Sequence, residues 1–128
     1  MTWWQALAVA AGGAAGALAR FGSVGLISAA WGHAPLGTFC VNILGCLLIG
    51  VARAGVTNLQ WWSLELRAMI FTGFLGSFTT FSTFEAETVT MWQQGQRTWA
   101  VLYCGASVVC GLGAYLIGWW GVLRLLRS

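Results

Sequence analysis

Apolar residues run through this chain in four long blocks, separated by short polar stretches at residues 28–35, 54–63 and 93–97. A helix that crosses the hydrocarbon core of a bilayer needs about 20 apolar residues. The pattern therefore predicts four membrane spans, at about residues 3–27, 36–53, 64–92 and 98–123. Both termini then lie on one side of the membrane. The third block is the unusual one. It is longer than a straight crossing requires, and it contains Gly73-Phe-Leu-Gly-Ser-Phe-Thr-Thr-Phe-Ser-Thr-Phe-Glu-Ala-Glu87. Polar and ionisable groups at bilayer depth are costly and mark routes for ions or substrates. Irregular backbone at that depth survives only when buried in protein or lining a cavity. The spacing predicts a helix interrupted near residues 73–80.

Polar positions recur at helical spacing inside the blocks. In the second span Thr38, Asn42 and Cys46 share a face at four-residue steps. In the fourth, Tyr103 and Ser107 are four apart, with Gly111 beyond them. The third carries two stripes: Phe74, Phe78, Phe81 and Phe84 on one face, and Thr79, Thr83 and Glu87 on the next. An Asn in a span can simply glue helices, and a phenylalanine stripe can be plain packing. Phenylalanines beside hydroxyls and a carboxylate point further, to an ion route. Aromatic rings present a positive edge and a negative face, so these residues alone leave the sign of the ion open.

Composition narrows the class. Hydrophobic residues make up 59% of the 128 and charged residues 7%, against about 25% charged in soluble domains. Mean hydropathy is +0.78. A single all-α integral membrane domain, residues 1–128, is expected. The start, Met-Thr-Trp-Trp-Gln, lacks the basic region of a cleavable leader, so the first block is expected to stay as a span. The nine tryptophans fall near the span ends and read as interfacial anchors. Arg53, Arg67, Arg124 and Arg127 fall on the terminal side, with Arg20 and Arg97 on the other. That weak bias makes insertion in both orientations a reasonable expectation. The 18 glycines suit close helix packing within or between subunits, and a homo-oligomer is expected. Cys40, Cys46, Cys104 and Cys110 read as small apolar side chains, and His33 beside Pro35 reads as a turn residue. Glu65 and Arg67 read as interfacial charges, while Glu85 could face a vestibule or a neighbouring helix. The dispersed arginines do not suggest nucleic acid. No nucleophile-and-base set or phosphate loop is visible, so no enzyme is expected.

Three motifs stand in order along the chain: Gly12-Gly-Ala-Ala-Gly16-Ala-Leu-Ala-Arg20, Gly37-Thr-Phe-Cys-Val-Asn42-Ile-Leu-Gly45, and Gly73-Phe-x-Gly76-x-x-Thr79-Thr80-Phe81-Ser82-Thr83-Phe84-x-x-Glu87. Together they resemble the CrcB/Fluc fluoride channels. The resemblance spans essentially the whole chain. It implies an antiparallel, dual-topology homodimer in a bacterial-type inner membrane, with two pores that export cytoplasmic fluoride passively. By the match, Phe81 and Phe84 would present ring edges to fluoride, and Asn42 would hydrogen-bond it. Ser82, Thr83 and Glu87 would belong to a polar pathway, together with Tyr103 and Ser107. Arg20 would draw anions at the aqueous entrance. Gly76 and Thr79 would sit at the break of the third helix, where backbone carbonyls of both subunits would hold a structural sodium ion.

Two other classes fit the residues less well. A small multidrug exporter also has four short spans, but it needs an intramembrane carboxylate, usually in the first span. Here that span holds only Arg20 as an ionisable group. A non-transporting assembly subunit would explain the glycines and tryptophans, but not the Asn, Phe, Thr and Glu placement.

Overall fold

The computed structural model describes residues 2–127. The first helix, α1 (Trp3–Trp31), opens on a capping box in which Thr2 Oγ1 accepts from Gln5 N and Gln5 Oε1 accepts from Thr2 N. It closes on Gly32, whose φ of 71° is the left-handed conformation that glycine adopts without strain. Helix α2 (Ala34–Asn58) follows, with Pro35 in its first turn, where the missing N–H loses no bond. Helix α6 (Arg97–Leu125) ends the chain. These three helices, of 29, 25 and 29 residues, are long and apolar enough to cross a membrane. Each extends past the apolar block that predicts it. Hydropathy marks the hydrocarbon core, whereas a helix continues until a cap or turn takes up its end groups.

Between α2 and α6 the chain takes a segmented path. A turn, α3 (Leu64–Arg67), is capped by Ser63 and leads into a wide π-helical segment, Ala68–Leu75. One more turn, α4 (Gly76–Phe78), ends at Thr79 and Thr80, which are extended. Helix α5 (Phe81–Gln93) then begins, and Gly95, at φ 79°, makes the turn into α6.

Glycine fixes how these pieces meet. Gly12 and Gly16, both buried on α1, lie against the backbone of the π segment. A Cβ at Gly12 would run into the carbonyl of Met69, and one at Gly16 into the carbonyl of Phe74. Gly50 and Gly118 serve the same purpose between α2 and α6, whose contacts advance in the same direction along both helices. Gly37 packs on Val24 and Ser28, which makes α1 and α2 antiparallel. One end of the bundle therefore gathers the start of α1, the end of α2, the start of α3 and the end of α6. The buried apolar residues are few, among them Val41, Ala54, Leu75 and Phe78, while Phe21, Leu26, Val109 and Ile117 stand exposed. That distribution suits helices solvated by lipid or by other chains, because apolar side chains gain little by leaving a hydrocarbon solvent.

The tryptophans divide. Seven are exposed, including Trp3, Trp31 and Trp99. Trp62 instead packs on Gly55, and Trp119 stacks with Tyr115 at 6.4 Å. Those two pack within the protomer.

Overpacking a tight contact costs about 1–3 kcal/mol. Gly16→Ala is therefore expected to lower the thermal stability of the detergent-solubilised protein. Gly22→Ala, where a Cβ meets open space, should leave it unchanged or raise it. Equal melting temperatures for the two variants would contradict the backbone contact.

Candidate functional site

The site begins with the interruption at Thr79 and Thr80. Thr79 sits at φ −84°, ψ 157° and Thr80 at φ −147°, ψ 113°, conformations that suit β-branched residues. Leaving the helix strips backbone groups of their partners, and each needs a new one. Thr79 N and Thr79 Oγ1 both donate to Leu75 O, at 3.1 and 3.0 Å. Thr80 N donates to Asn42 Oδ1 at 2.8 Å, and Asn42 Nδ2 donates back to Thr80 O at 3.1 Å. The Asn42 amide thus imitates a strand neighbour for one residue. Thr80 Oγ1 caps α5 by accepting from Thr83 N at 3.3 Å and donates to Thr83 Oγ1 at 2.9 Å. Because Asn42 holds the Thr80 N–H, the carbonyl of Gly76 loses its ordinary partner four residues ahead.

The phenylalanines divide at the same point. Phe74 and Phe78 stack before it, with ring centroids 5.8 Å apart. Phe81 and Phe84 follow it, tilted by 45° at 5.8 Å, and Phe84 meets Tyr103 at 5.4 Å. Phe84 is 7% exposed and Phe81 72% exposed, so one ring is locked in the protomer and the other projects from it.

One turn further along α5, Glu87 joins three helices. Its Oε1 accepts from Thr38 Oγ1 of α2 at 2.8 Å, and its Oε2 accepts from Tyr103 OH of α6 at 2.7 Å. Thr38 is 1% exposed. The two hydroxyls donate and the Glu87 carboxyl oxygens accept, so one side chain ties α2 and α6 to α5. A groove of about 960 Å³ opens over this cluster. Thr83, Glu87 and Tyr103 line it together with His33, Gln94 and Trp99 from the far end of the bundle.

The proposed pathway residues are only partly assembled. Asn42, Thr83, Phe84, Glu87 and Tyr103 lie along the interruption and the groove. Ser82 is exposed beside Phe81. Ser107 Oγ, one turn past Tyr103 on α6, is buried and meets no hydrogen-bond partner. Arg20 is half-buried on α1 and does not line the groove. Gly76 is exposed, and Thr79 is half-buried at the interruption. The stripe of Thr79, Thr83 and Glu87 is not one helical face, since Thr79 lies outside α5. Two roles are not evident in the sequence: Thr38, placed on the polar face with Asn42, as a donor to Glu87, and Thr80 as cap and clamp partner. A Thr three residues ahead of another, just before an apolar helix start, is the available signal for Thr80.

Comparison with known proteins places this geometry in context. The family model described as CrcB-like protein, Camphor Resistance (CrcB), matches residues 7–119. A protein of Nitratidesulfovibrio vulgaris named fluoride-specific ion channel FluC is 44% identical over 107 residues, covering 83% of this chain and 86% of that one. A protein of the same name from Pseudomonas putida is 42% identical over 121 residues, covering 94% of each chain. Another, from Acidobacterium capsulatum, is 45% identical over 111 residues, covering 86% of this chain and 89% of that one.

The bond from Tyr103 to Glu87 is testable in isolation. A double-mutant cycle with Tyr103→Phe and Glu87→Gln, read by thermal unfolding, is expected to give a coupling of about 1–2 kcal/mol. Strictly additive effects would show that the two side chains do not interact.

Proposed function

This chain belongs to the CrcB family, and on that premise we propose that it is a fluoride-selective channel that exports cytoplasmic fluoride passively. The name shared by its relatives carries the choice of ion, at 42–45% identity over more than four-fifths of each chain. It is a multi-pass protein of the bacterial inner membrane, in keeping with its three long apolar helices. In the proposed arrangement α3, the π segment, α4 and α5 form one further crossing, broken at Thr79 and Thr80. Two copies in opposite orientations build two pores.

Residue chemistry supports this reading. Fluoride is small and strongly hydrated, so a pore must replace its water with donors and positive ring edges. Phe81 projects from the protomer, where its edge can face an ion held between two copies. Phe84 is fixed by Phe81 and Tyr103. Asn42 uses one N–H on Thr80 and keeps a second for an anion. Thr83, Ser82 and Ser107 supply further hydroxyls, and the Ser107 Oγ is buried without a hydrogen-bond partner in the protomer. Glu87 and Tyr103 belong to the same polar route. Arg20, on α1, would attract anions from outside the groove.

The interruption also suits a sodium ion. A hard cation prefers oxygen ligands, and the interruption frees the carbonyl of Gly76, an exposed residue. That carbonyl and the neighbouring one of Thr79, with their counterparts in a second copy, would hold the ion. The sodium would neutralise four inward carbonyl dipoles and tie the two copies together.

Removing an N–H donor or a positive ring edge from an ion costs on the order of 1.5–3 kcal/mol, roughly tenfold or more in rate. Purified Phe81→Ile and Asn42→Asp are therefore expected to release fluoride from liposomes about tenfold more slowly than the unmodified protein. Both should elute at the unmodified protein's oligomeric size. Full flux in both variants would remove these residues from the pathway.

A further inference from the structure

The groove over Glu87 runs out to the end of the bundle where α2 and α6 begin. At that mouth stand His33, the N-cap residue of α2, Gln94, just past α5, and Gln96, just before α6. All three are exposed. Their side chains make no hydrogen bond or ion pair with any described residue, and His33 does not cap its helix. Their N–H donors are therefore free for water or for an occupant of the groove.

Charge singles out His33. It is the one histidine of the chain and the one basic residue among the described groove lining. Arg20 lies outside that lining. Arg97, beside Gln96, rests over the Trp92 ring at 5.4 Å and is outside it too. The titratable groups that share the groove with His33 are few. Helix α5 brings Glu87, whose oxygens accept from Thr38 and Tyr103, while Glu85 is not in the lining. Helix α6 brings Tyr103. The last stretch of α1, residues 21–31, has no ionisable side chain. An anion moving along the groove toward Phe84 thus passes no fixed positive charge, and it meets a carboxyl group at Glu87. Imidazole is the side chain whose charge changes between about pH 5 and 8. A cation in the mouth of a cleft raises the local anion concentration and the rate of entry.

We propose that His33, when protonated, captures small hydrated anions at the groove mouth, with Gln94 and Gln96 as neutral donors. Lower pH adds the positive charge, so anion entry rises as the pH falls through the imidazole range. The inference rests on the channel reading for the identity of the anion, fluoride, and for the flux that the site feeds.

Flux and binding are read separately. Fluoride release from liposomes is measured at low ionic strength and equal pH on both sides, less the leak of protein-free vesicles. The unmodified protein should be about threefold faster at about pH 6 than at about pH 8, the size expected of one added charge at close range in water. His33→Gln should be slow at both pH values, and His33→Lys, which keeps the charge throughout, fast at both. The single imidazole also gives one NMR signal to follow in the purified full chain. Replacing sodium gluconate with sodium fluoride should raise its titration midpoint by about half a pH unit, the linked equivalent of threefold tighter binding to the imidazolium. Equal flux of the unmodified protein at the two pH values, a pH response that persists in both variants, or a midpoint unmoved by fluoride overturns the proposal. Absence of fluoride release at either pH overturns the channel reading instead, and the midpoint then decides the capture site by itself.

Discussion

Backbone hydrogen bonding in an apolar solvent is the constraint on which the site depends. Water is absent from the bilayer core, so every N–H and C=O released from a helix must find a partner in the protein. At the interruption the N–H groups of Thr79, Thr80 and Thr83 and the carbonyl of Thr80 are met by three groups: the Leu75 carbonyl, the Asn42 amide and the Thr80 hydroxyl. The reciprocal pair between Asn42 and Thr80 satisfies both backbone groups of one residue with one side chain. It also fixes α2 against the start of α5. From that anchor the position of Phe81 and Phe84 follows, and with it the position of Glu87 between Thr38 and Tyr103.

The remainder of the fold keeps the anchor in place with little buried volume. Gly12 and Gly16 bring α1 onto the backbone of the π segment, while Gly50 and Gly118 bring α6 onto α2. Helices in lipid are held by close packing and hydrogen bonds more than by burial, so two interlocked pairs of backbones are a sensible substitute for a large core. The π segment belongs to this arrangement. Gly76 N reaches back to Phe71 O, a wider turn than an α-helix makes, just before the chain leaves helical geometry. Wide turns of this kind are common next to functional sites.

Much of this was legible from the residue pattern. The three long helices follow from block length, because a predominantly apolar block of about 20 residues satisfies its own backbone in a membrane as a helix. The irregular third block was visible from its polar content. The place of the interruption was less so. Gly73 and Gly76 look like the weak points, yet both are helical. Gly73 is there because Val9 O and Gly12 Cα press against it. The extended residues are instead the β-branched Thr79 and Thr80. Helical spacing put Thr38 and Asn42 on one face, but it could not name their partners. Those lie 49 and 38 residues away, and only tertiary packing pairs them. The apparent stripe of Thr79, Thr83 and Glu87 misled for the same reason, because periodicity counts through an interruption that the chain does not respect.

The most direct test of the account is the release of fluoride and of chloride from liposomes that contain the purified, unmodified protein, read with ion-selective electrodes against protein-free vesicles. The account predicts rapid fluoride release with chloride retained. Equal release of both ions, or retention of both by well-folded oligomeric protein, would contradict it.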